Sequence, residues 1–62
     1  MTPKQKQILL EAWDYCDEED KSTEFMLQYM SDSSGLSYDR VVEYVCSDQS
    51  TKDRDDSYKK LG

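Results

Sequence analysis

The chain has no histidine, a single proline, two glycines and two cysteines. Without histidine, the side chain that most often serves as a zinc ligand and as a general base near neutral pH is missing. Cys16 and Cys46 alone fill half of a structural zinc shell and form no Cys-x-x-Cys redox pair. The expectation is two reduced thiols in a cytoplasmic setting, bacterial or host, with a Cys16–Cys46 disulfide as the alternative. No apolar run exceeds three residues, which argues against a membrane span or a signal-peptide core.

Other chemistry is missing as well. There is no glycine-rich phosphate loop, and no nucleophile has a base close by in sequence. The carboxylates do not follow a calcium-loop register. Counted from Asp14, Cys16 falls at the third position, Glu19 at the sixth and Phe25 at the twelfth. Counted from Asp53, Tyr58 falls where glycine belongs. Paired acids such as Glu18 and Glu19 have acid–base chemistry in principle, but so small a bundle is not expected to enclose a substrate pocket. No enzyme activity, metal or cofactor is expected.

What is abundant is acid, and it is concentrated. Of the fourteen carboxylates, seven lie between Glu11 and Glu24: Glu11, Asp14, Asp17, Glu18, Glu19, Asp20 and Glu24. Only Lys21 opposes them, so this stretch alone carries a charge equal to the net −6 of the whole chain. The first ten residues are basic through Lys4 and Lys6, residues 25–46 are mildly acidic, and residues 47–62 balance. A localised patch of one sign is a candidate recognition surface.

With 62 residues the chain makes one small domain, which buries only about 60% of its unfolded surface. Its aromatic content, one Trp, five Tyr and one Phe, still supports a compact core. An all-α fold is expected: a three-helix domain over 1–46 and a polar tail over 47–62, mobile or weakly docked as a short helix. The first helix, near 3–18, opens with Thr2 as cap, Pro3 in the first turn and Gln5 reaching back. Ile8, Leu9, Ala12, Trp13 and Cys16 share one face. Asp17 to Asp20 oppose its C-terminal dipole and favour an end there. Ser22 or Thr23 caps a second helix near 23–32, with Phe25, Met26, Tyr29 and Met30 inward, ending before Gly35. Leu36 packs inward, and Ser37 caps a third helix near 37–46 with Val41, Val42 and Val45 inward. In the tail, a short helix from Arg54 to Leu61 would dock Tyr58 and Leu61.

Residues 27–46 resemble a helix-turn-helix. Ser31 stands where that motif takes a small residue, Gly35 at the turn, and Leu36, Val41 and Tyr44 or Val45 at its buried positions; Ser34 departs from the pattern, since an apolar residue is usual there. The resemblance covers about a third of the chain. The would-be reading helix offers Ser37, Tyr38, Asp39, Arg40 and Glu43, which bring no net attraction to phosphates. Direct nucleic-acid binding and membrane binding are therefore not expected.

The sequence points to an acidic, non-enzymatic protein-interaction module. Its seven clustered acids would occupy a basic, nucleic-acid-binding surface of a partner protein, as a DNA mimic or inhibitor. In style it resembles the small accessory proteins of bacteriophages and mobile elements. A helix-turn-helix DNA-binding regulator is the alternative, and a structural subunit of a larger assembly the third. Self-association through Tyr38 and Val42 would enlarge a thin core.

Overall fold

The computed structural model describes residues 1–61, with side chains through residue 59. The domain is all-α, with four helices: α1 Pro3–Glu18, α2 Thr23–Ser34, α3 Tyr38–Val45 and α4 Asp48–Leu61. Local chemistry sets most of the boundaries. At the start of α1 the Gln5 amide donates to Thr2 Oγ1 at 3.1 Å, and the Thr2 amide donates to Gln5 Oε1 at 2.9 Å. Two of the helix's free N–H groups are thereby satisfied. Ser22 and Ser37 cap α2 and α3 through the amides of Phe25 and Arg40. Gly35 closes α2 in the left-handed conformation, at φ 78°.

The end of α1 is less ordinary. Asp20 adopts φ 56°, the Lys21 amide donates to the Cys16 carbonyl at 2.9 Å, and the Asp20 amide donates to the Asp17 carbonyl at 3.2 Å. This is the Schellman arrangement, with aspartate in the place glycine usually takes. Aspartate tolerates the left-handed region better than most residues, but not without strain.

Each helix packs against its neighbours in the chain, and α4 also returns to α1, so the four close a ring. The radius of gyration is 10.8 Å, against about 10.6 Å for a folded chain of this length. Residues 48–61 are therefore folded back on the domain and not an extended tail, and four helices replace the expected three. Helix α4 starts six residues before Arg54. Tyr58 docks through its hydroxyl, whereas the Leu61 side chain lies outside the described residues.

The core is Leu9, Ala12, Met30, Val41 and Tyr44, with Trp13, Met26, Leu27, Leu36 and Val45 packed around it; Cys16 is buried as well. Phe25 and Tyr29, expected inside, are exposed, and Val42 is half-buried outside the cluster. On α2 the inward arc is Met26, Leu27, Met30 and Ser34, which turns Phe25 and Tyr29 outward by more than a quarter turn. Both cysteines are free, Cys16 buried and Cys46 exposed, so the disulfide alternative does not hold.

The Asp20 strain generates a stability test. Asp20→Gly should raise stability by roughly 0.5 kcal/mol, a gain of about 2–4 °C in Tm, because glycine takes φ > 0 freely. Asp20→Val should lower it, since a β-branched residue is an outlier there. Thermal unfolding followed by circular dichroism measures both.

Candidate functional site

Three groups of side chains stand apart from the apolar core. The first is a buried carboxylate. Asp53 on α4 is 6% exposed. It receives Lys6 Nζ from α1 at 2.9 Å, the Tyr44 hydroxyl from α3 at 2.7 Å, and Gln49 Nε2 at 3.0 Å. Burial pushes its pKa up, but the bonds from Lys6, Tyr44 and Gln49 outweigh burial and hold it below the ordinary range. Burial, and then the bond to Asp53, push the Tyr44 phenol well above its ordinary range. Neither group is poised to exchange a proton near neutral pH. Next to it, Ser50 is fully buried and donates to the carbonyls of Val45 and Ser47, locking the α3–α4 turn.

The second group pins α4 across α1. Arg54 lies over the Trp13 ring, its Cζ 4.5 Å from the centroid, and donates to Tyr58 Oη at 2.9 Å. Tyr58 in turn donates to Asp14 Oδ1 at 2.7 Å, and Arg54 pairs with Asp17 at 3.5 Å. Between α1 and α4 runs an open groove of about 850 Å³, bordered by Lys6, Leu10, Glu11, Asp14, Asp53 and Tyr58. Its volume exceeds what so short a chain suggests. It is a surface groove, however, and two of its four carboxylates, Asp14 and Asp53, are already bonded to tyrosine hydroxyls.

The third group is the far end of α1 and the start of α2. Glu18, Glu19, Asp20 and Glu24 are all exposed, and among the described residues no cation pairs with them. Beside them, Tyr15 stacks on Tyr29 with centroids 5.4 Å apart, and Tyr29 on Phe25 at 6.1 Å. Lys21 Nζ sits 5.3 Å from the Phe25 centroid.

The seven expected site residues are thus divided. Asp14 and Asp17 are engaged by α4, and Glu11 borders the groove and accepts a long bond from Gln7 at 3.5 Å. Glu18, Glu19, Asp20 and Glu24 form an unpaired cluster. Tyr38 is exposed on α3. Sequence reasoning missed the Asp53 network and the aromatic stack. The signal for the first was the 3.6-residue spacing of Ser50, Asp53, Arg54 and Ser57, a helical face with polar residues inward. No metal-holding cluster of carboxylates and thiols, and no helix long and apolar enough to cross a membrane, occurs among the described residues. No family model, curated protein or solved structure matches this chain, so the site rests on its own geometry.

The buried network carries a pH signature with two limbs. The lowered pKa of Asp53 contributes stability above the ordinary aspartate value near 3.9, lost as pH falls through its folded value. The raised pKa of Tyr44 contributes stability below the ordinary value near 10, lost as pH rises through its folded value. Asp53→Ala should cost about 1–3 kcal/mol, remove the acid limb and only weaken the alkaline one, whose first cause is the burial of Tyr44. The cost stays below that of breaking a fully buried ion pair because Lys6 is 41% exposed and can rehydrate. Urea titrations across pH, with amide exchange of α4, measure both effects.

Proposed function

We propose that this chain is a non-enzymatic interaction module that docks its acidic α1–α2 end on a basic, nucleic-acid-binding surface of a partner protein and competes there with the nucleic acid. The observation that carries this reading is the division of charge within the fold. Lys6, Arg54 and Lys59 are paired with Asp53, Asp17 and Asp55, and Lys21 lies on Phe25. The turn acids Glu18, Glu19, Asp20 and Glu24 have no such ion pair among the described residues and outnumber the one cation beside them, Lys21, so this end projects a net negative field. That field speeds association with a basic surface and weakens with salt, because the Debye length is about 8 Å at physiological ionic strength. The helix-turn-helix alternative draws less support: exposed α3 sets Asp39 and Glu43 against Arg40 alone, too little cation to neutralise phosphates.

A competition assay tests this. A labelled duplex held by a basic DNA-binding protein should be displaced by this chain at low salt and much less at high salt. Glu18→Lys, Glu19→Lys and Glu24→Lys together should abolish displacement and leave the helical circular dichroism spectrum unchanged. Each position is exposed, and such changes normally move stability by no more than about 0.5 kcal/mol. Displacement that survives the charge reversal, or tight binding of the duplex by this chain itself, would overturn the reading.

A further inference from the structure

We infer that the exposed aromatic stack of Tyr15, Tyr29 and Phe25 is a seat for arginine side chains, so that the partner presents arginine, and not merely positive charge, to this face. The inference rests on the docking function proposed above and names the chemistry it recognises.

Three aromatic rings in a chain this short would ordinarily be core. Here Tyr15 is 44% exposed, Tyr29 37% and Phe25 45%. They are not loose. The Tyr15 and Tyr29 planes lie within 25° of one another across the α1–α2 interface, and those of Tyr29 and Phe25 within 21° along α2. Stacking of this kind restrains each ring before anything binds. Surface aromatics held rigid and close together are the usual anchors of protein interfaces.

The surroundings select the occupant. On α1, helical spacing sets Glu11 and Glu18 one turn either side of Tyr15; on α2, Asp32 lies one turn beyond Tyr29. A second copy of this chain meeting the stack face to face would oppose these acids to their own kind. A neutral apolar segment would bury Glu18 without a partner, and Glu11 and Asp32 with only the amides of Gln7 and Gln28 to meet their charge. A guanidinium satisfies both elements: its plane lies on the ring faces while its N–H groups pair with the rim carboxylates. The fold already contains such a guanidinium: Arg54 lies on Trp13 and 5.7 Å from the Tyr58 centroid. Within the stack Lys21 shows that a cation reaches Phe25, which leaves the two tyrosines as the freer rings.

The test is a titration of the isotopically labelled full chain with arginine homopolymer and lysine homopolymer peptides of equal length at low salt. Ring protons of Tyr15 and Tyr29 should shift with the arginine peptide, which should bind tighter than the lysine peptide, by at most about two- to fivefold for each ring engaged, the full worth of an exposed cation–π contact. Tyr15→Leu and Tyr29→Leu keep an apolar side chain in place and should each reduce that preference while leaving salt-sensitive binding intact. Equal affinities for the two peptides, with ring signals unmoved, would overturn the arginine seat and leave the acidic docking function standing. If neither peptide binds at low salt, the docking function fails, and the seat with it. The ring shifts of the unaltered chain decide the matter even where a leucine variant fails to fold.

Discussion

The carboxylate of Asp53 is the point on which the closure of the domain depends. It is carried by α4, yet its partners come from α1, α3 and its own helix. One group therefore ties together three of the four helices. A buried carboxylate is costly unless its lone pairs are met, and here ammonium, phenol and amide donors all meet it. Lys6 stays half in water, which lowers the desolvation cost on the cationic side. Almost nothing apolar on the described part of α4 faces the core; its buried side chains are Ser50 and Asp53. An isolated helix of this length is marginal in water. Over its described side chains, α4 is held by polar bonds and by Arg54 on Trp13, not by a hydrophobic stripe.

This way of holding the helix redistributes the charge of the molecule. The last sixteen residues balance in sign, but among the described residues only Lys59 and Asp55 pair with one another there. Lys6 is drawn to Asp53, and Arg54 and Tyr58 are drawn to Asp17 and Asp14. The continuous acidic stretch of the sequence is cut in two. Its earlier part becomes the seam for α4, and its later part remains, among the described residues, an unpaired end beside the stacked aromatic rings.

The aromatic stack arises from a choice the sequence leaves open. Phe25, Met26, Leu27, Tyr29 and Met30 cover so wide an arc of α2 that two different faces could turn inward. The face that does is centred on Met26, Leu27, Met30 and Ser34. Ser34 can be buried because its hydroxyl donates to the Met30 carbonyl at 2.7 Å and accepts from the Leu36 amide at 3.3 Å. A serine in that inward position is invisible to a count of apolar residues. On α3, Tyr44 enters the core for a similar reason: its hydroxyl has a partner inside.

The sequence by itself determined the local events. Thr2 with Gln5, Ser22, Ser37 and Gly35 mark helix ends within a turn of where they fall, because caps act between residues three to five apart. The acids at the end of α1 act just as locally. The α1 face of Leu9, Ala12 and Cys16 was legible because its apolar spacing admits one inward direction. Only the tertiary structure decided that residues 48–61 are a docked helix, that Phe25 and Tyr29 face outward, and which carboxylates remain unpaired. Each of these depends on a donor, an acceptor or a packing surface far away in the chain: Lys6 for Asp53, Asp14 for Tyr58, Tyr15 for Tyr29. A polar residue is inward only if its partner arrives, and that is a property of the assembled helices, not of any one of them.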